Sequence, residues 1–196
     1  MKKTSALILF FMYFFVTARA ENPVTTTTAV IEGSVFPNIH IQSIEDKYFS
    51  LPYDVTLKAQ VSLIIMTFAR PNDDDMASWV KPFSKKYENN TRTAYYELAL
   101  VGDVGPINGL IFNGMRDGAT DQMRKHLLVY FHDKDPYKKI FNIHDDSLIY
   151  SCLVDQNGII QLIKCGKRAA QSDIDIILKT TEALLTPPEK SLKKGI

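Results

Sequence analysis

Apolar positions along the chain form two kinds of run, and the contrast between them predicts the architecture. Val61 to Phe68 is nearly continuous and β-branched, broken only by Ser62 and Thr67, the pattern of a strand covered on both faces. Ala69-Arg70-Pro71-Asn72 then reads as a turn, and Asp73-Asp74-Asp75 places three acids where a helix N-terminus favours negative charge. From there Met76, Val80, Phe83 and Tyr87 recur on one stripe beside Trp79, so a helix is expected from Asp73 to about Glu88-Asn89-Asn90. A buried strand handing over to a packed helix is the place where α/β folds usually build sites.

The same contrast repeats. Tyr95 to Val101 and Leu127 to Phe131 read as further buried strands, with Asp135 to Phe141 as a short helix carrying Pro136 early, where proline is tolerated. Leu148 to Asp155 and Ile159 to Cys165 are strands joined at Gln156-Asn157-Gly158, a hairpin signal in which Asn157 and Gly158 serve as the two central turn residues. Ser172 is expected to cap a last helix whose apolar stripe runs through Ile174, Ile177, Leu178, Thr181, Leu184 and Leu185 before Pro187-Pro188. Upstream, Val35 to Ile39 and Ile41 to Phe49 suggest short strands around a turn at Glu45-Asp46. Residues 103 to 126 form an insertion. In it Ile107, Leu110, Ile111 and Met115 fit a helix that Gly109, Gly114 and Gly118 weaken, with a firmer helix over Asp121 to His126. The order predicts an α/β domain: a central mixed sheet flanked by helices, with an N-terminal β-hairpin extension and one insertion.

The ends change the picture. Lys2 and Lys3, an apolar stretch from Ala6 to Val16 and the small-x-small Ala18-Arg19-Ala20 together read as a secretory signal peptide over residues 1–20. The stretch is shorter than the ~20 residues that span a bilayer. A lead-in is expected over 21–34, the domain over 35–186 and a disordered tail over 187–196, with no later membrane span. The expected location is the bacterial periplasm or the exterior. With 23 Lys and Arg against 22 Asp and Glu the chain is near neutral, which argues against nucleic acid as a partner. A protein partner or client polypeptide fits better, and no cofactor is called for.

The residues Leu153-Val154-Asp155-Gln156-Asn157-Gly158-Ile159-Ile160 resemble the hairpin of the thioredoxin superfamily, and the resemblance spans Phe36 to Leu185. Ser78-Trp79 with Lys81-Pro82-Phe83, Phe141-Asn142-Ile143 and Cys165-Gly166 are similar to the mitochondrial ATP synthase assembly chaperones of the same fold, which often lack redox cysteines. The resemblance implies a redoxin-type thioredoxin-like fold. It also places Asp73-Asp74-Asp75-Met76 where the superfamily carries Cys-x-x-Cys, and Ile149 near the position of its cis-proline. A carboxylate cannot attack a disulfide, and a cis bond before a non-proline residue costs ~3 kcal/mol, so a trans peptide is expected there. A degenerate site is therefore expected around Pro71, Asn72, Asp73, Met76, Leu148 and Ile149, serving binding, assembly or chaperone-like work, with no catalytic residue assigned.

Two other chemistries stay open in the sequence. Cys152 and Cys165 lie on the two hairpin arms, Cys152 opposite Ile163 and Cys165 opposite Tyr150, so they stand diagonally on one face. Free thiols rank ahead of a disulfide bridge, and a thiol-dependent oxidoreductase or peroxidase-like protein using them is the alternative function. His132, His144 and Asp145 are candidates for a metal carrier, at a spacing that matches no ligand motif.

Overall fold

The computed structural model describes residues 32–186. The expected signal peptide and tail lie outside the described residues. Among them no helix is long and apolar enough to cross a membrane.

Seven strands form one mixed sheet in the order β2-β1-β5-β4-β3-β6-β7. These are β1 (Ile39–Ser43), β2 (Tyr48–Leu51), β3 (Val61–Thr67), β4 (Thr93–Leu100), β5 (Leu127–Tyr130), β6 (Ile149–Asp155) and β7 (Ile160–Gly166). The core of the sheet is the parallel set β5-β4-β3, with β6 and β7 antiparallel on one flank and β1 and β2 antiparallel on the other. Every residue of β3 is buried, as its unbroken apolar run requires. The helices are α1 (Tyr53–Thr56), α2 (Asp73–Lys86), α3 (Asn108–Gly118), α4 (Asp121–Arg124), α5 (Asp135–Ile140) and α6 (Gln171–Leu185).

Alternation along the strands divides the core into two layers. On one face Ile64, Met66, Tyr96, Leu98, Leu128, Cys152 and Val154 pack under Phe36, Val55 of α1, Tyr137 of α5 and Phe141 just after it. On the other, Leu63, Ile65, Ile149 and Leu153 pack against Trp79, Val80 and Phe83 of α2 and Ile174 and Ile177 of α6. Farther along that second face Leu127 and Val129 meet Phe112 and Met115 of α3.

Several local expectations change. The N-terminal hairpin forms, but its first strand begins at Ile39. Val35 makes only an isolated bridge to Ile159, and Asp46 takes the tight turn with φ +63°. Glu32 to Ser34, expected in the lead-in, are held on β7: Gly33 N–H donates to Ile160, Ile160 N–H to Ser34, and Ile163 N–H to the Glu32 carboxylate. In the insertion the longer helix is α3, eleven residues despite three glycines, whereas α4 is a single turn. Packing of the half-buried Phe112 and Met115 on the sheet offsets the glycine penalty of about 1 kcal/mol each. Ser172 does not cap α6, whose N-cap is Ala170 with no side-chain bond.

The β6–β7 turn shows how a register can be right by another route. Gln156, Asn157 and Gly158 form a three-residue loop closed by Asp155, whose N–H donates to Ile159 O and whose carboxylate accepts the N–H groups of Asn157 and Ile159. Gly158 supplies the positive φ of +76°. A bulge between Leu153 and Val154 absorbs the extra residue, so Cys152 still faces Ile163 and Cys165 faces Tyr150.

Candidate functional site

The C-terminal ends of β3, β4 and β5 gather the segments where α/β sheets place ligands. At the start of α2 the Asn72 side chain accepts the Asp74 N–H at 2.9 Å, the capping role its residue type favours. Asp73 and Asp74 are exposed, while Asp75 is partly covered, with the Arg168 guanidinium 3.8 Å away. Met76 is half-buried in the layer that holds Trp79, Ile149 and Ala169. Across the site Leu148 is half-buried and Ile149 buried. The peptide between them is trans, since the one cis bond among the described residues joins Leu51 to Pro52 at the far end of the sheet.

Polar ties hold these segments together. Ser78 Oγ donates to Asp75 O at 2.6 Å and accepts the Ala169 N–H at 2.9 Å, linking α2 to the chain leaving β7. Lys134 Nζ donates to the Phe68 carbonyl at the end of β3, and Lys138 pairs with Asp146 at 2.8 Å. Tyr150 Oη donates to Asp145 O at 3.0 Å while its ring meets Phe68 edge-on. Sequence gave no signal for Lys134, whose partner is a backbone carbonyl brought near only by folding.

Beside α2, the loop after β4 presents apolar residues to solvent. The Asp103 carboxylate accepts the Gly105 N–H and the Asn108 amide, which hold it below the usual carboxylate range, and Asn108 Oδ1 accepts the Val104 N–H. On this ordered turn Val104, Ile107 and Leu110 are exposed, Leu110 by 73%. Of the four apolar residues expected to be exposed or packed down, Phe112 and Met115 pack, Ile111 is half-buried and Leu110 stays out.

Neither thiol reaches the tip of α2. Both cysteines are free, Cys152 buried and Cys165 exposed. Burial pushes the Cys152 thiol up, which disfavours the thiolate that nucleophilic attack and metal ligation need. Gly166 pairs with Ile149, and a Cβ built on it would point at the Trp79 ring, 3.6 Å away, on the α2 side. Cys165 is its neighbour on the strand, so its side chain leaves from the opposite face.

The metal candidates separate as well. His132 follows β5 edge-on to Tyr130, and His144 is exposed in the loop before β6. Asp145 is committed to Ser147, whose bonds lower its pKa. Among the described residues no group of three or more His, Cys, Asp and Glu side chains converges, and these three do not form one.

No family model and no curated protein matches the chain. Solved structures do. A thiol-disulfide oxidoreductase from Bacteroides fragilis superposes with a TM-score of 0.54 at 14% identity, covering 76% of this chain and 99% of its own. Yeast Sco1 gives 0.51 at 15%, covering 79% and 97%. The thiol peroxidase from Chromobacterium violaceum gives 0.52 at 10%, covering 79% and 88%. The chain has a thioredoxin-like fold. On that fold the start of α2 carries Asn72, three aspartates and Met76, and the strand across from it opens with Ile149 in a trans peptide.

The structure also holds a groove that the sequence did not suggest. It is an open cleft of about 410 Å³ at the opposite end of the sheet, walled by Leu51, Pro52, Tyr53, Asn157 and Gly158. Its walls come from the β6–β7 turn on one side and from β1, β2 and the start of α1 on the other, segments far apart in the chain that the strand pattern does not connect.

Proposed function

We propose that this is an exported, non-catalytic thioredoxin-fold module that holds a polypeptide partner at the C-terminal end of the sheet, in an assembly or chaperone-like role. The observation that carries this reading is the separation of sulfur from the site: Asp73 to Met76 occupy the helix start, Cys152 is buried and Cys165 leaves from the opposite face. Disulfide exchange and peroxide reduction both need a thiolate at the reacting position. What the site end offers instead is exposed apolar surface, Val104, Ile107 and Leu110, on a turn fixed by Asp103 and Asn108. Pro71, Asn72, Asp73, Met76, Leu148 and Ile149 form the remaining floor and rim in this reading. Export rests on the signal-peptide pattern of residues 1–20.

A thiol-dependent oxidoreductase or peroxidase is the second reading, favoured by the exposure of Cys165 and by the names of the superposing structures. Insulin reduction and peroxide consumption by the wild type and by a Cys152→Ala/Cys165→Ser variant separate the two. The binding reading expects neither activity above background in either protein, and a thiol activity lost in the double variant overturns it. Suppression of citrate synthase aggregation on heating, weakened by Ile107→Glu/Leu110→Glu with the fold intact by circular dichroism, supports it directly.

A further inference from the structure

Glu97 is the only charged side chain among the buried residues described, exposed by 5%. It stands midway along β4, in register with Ile65 of β3 on one side and Leu127 of β5 on the other. Its neighbours on the same face of β4 are Tyr95, in the layer under α2, and Ala99, in the layer under α3. Glu97 thus marks the seam between the two helices.

Nothing in that seam balances its charge. Of the basic residues on the covering helices, Lys86 pairs with Glu182, Arg116 with Asp46, and Arg124 donates to the Ala119 carbonyl, while Lys81 and Lys85 are exposed. The acids Glu88, Asp117 and Asp121 on the same side are exposed too. The titratable groups sharing its surroundings are Tyr95, pushed up to about 12 by burial and then by Glu97, and His126. His126 stacks on Tyr95 with centroids 3.9 Å apart, and burial holds its imidazole below the ordinary value. A carboxylate in such a place is stabilised by taking a proton, and burial alone pushes Glu97 up to about 7.

We propose that Glu97 makes the seam between α2 and α3 responsive to pH: protonated it fills the seam as a neutral group, and ionised it loosens both helices on the sheet. The folded chain keeps this proton up to about pH 7, whereas the unfolded chain releases it near 4.5. Between those values the folded state binds more protons, so stability is full below 4.5, falls as pH rises and is lowest above 7. His126 acts in the opposite sense, its contribution being present above 6.5 and lost as pH falls below it.

Urea denaturation between pH 4.5 and 8 on the wild type, Glu97→Gln and His126→Gln tests this. Relative to Glu97→Gln, the wild-type unfolding constant is expected to rise roughly a hundredfold from pH 4.5 to 7. His126→Gln is expected to keep that rise. Hydrogen exchange of amides in β4, α2 and α3 should quicken over the same range in the wild type beyond the chemical rate. Parallel profiles for wild type and Glu97→Gln overturn the proposal. Should Glu97→Gln not fold, the carboxyl carbon resonance of Glu97 in the wild type decides: a midpoint near 7 supports the proposal and one near 4.5 overturns it.

Discussion

At the end of the sheet where β3, β4 and β5 finish, the segments are joined by polar groups: Lys134 to Phe68 O, Ser78 to Ala169 N–H, Asn72 to Asp74 N–H. At the opposite end the polar ties, Arg92 to Gln60 and the Asp155 carboxylate to its own turn, are joined by close contact and backbone shape. There Pro52 lies against Gly158 so closely that a Cβ on the glycine would stand 2.9 Å from Pro52 Cγ, and Gly158 has φ +76°. The difference teaches where change is tolerated. A hydrogen bond removed from a half-exposed site can be replaced by water, whereas a clash in a closed turn must move backbone.

Substitutions at the two ends should break this contrast if it is mistaken. Gly158→Ala is expected to have the largest effect, a loss of about 1–3 kcal/mol in urea denaturation, because positive φ and a close neighbour act together. Next comes Lys134→Met, which leaves the Phe68 carbonyl without its donor while Asp146 keeps Lys138, and should cost about 1–2 kcal/mol. Asn72→Ala removes the cap of α2 and should cost about 1 kcal/mol by the same measurement. The smallest expected quantity is the coupling between Gly158→Ala and Asn72→Ala. The sites share no partner, so the double variant should equal the sum of the singles within about 0.5 kcal/mol, and a larger coupling would show that the two ends are not independent.

Legibility in the sequence followed the range of the interactions involved. The strands β3, β4 and β5 and the helices α2 and α6 were visible because each is written in its own periodicity. The absence of thiols at the start of α2 was visible once that helix was placed, since Asp73 to Met76 follow β3 directly. Glu97 left a partial trace, as an acid inside an otherwise apolar strand. Its meaning depended on what α2 and α3 place over it. The face from which Cys165 leaves could be inferred from alternation, but its distance from the α2 tip required the register with β6 and the position of Trp79.

By itself the sequence determined which core strands and helices carry apolar faces and that no thiol stands at the start of α2, because apolar periodicity and residue type are properties of neighbours along the chain. Folding decided the rest. Only in three dimensions does Lys134 find the Phe68 carbonyl, Pro52 close on Gly158 and Glu97 fall between two helices, since each of these depends on groups brought together from distant parts of the chain whose encounter no local pattern encodes.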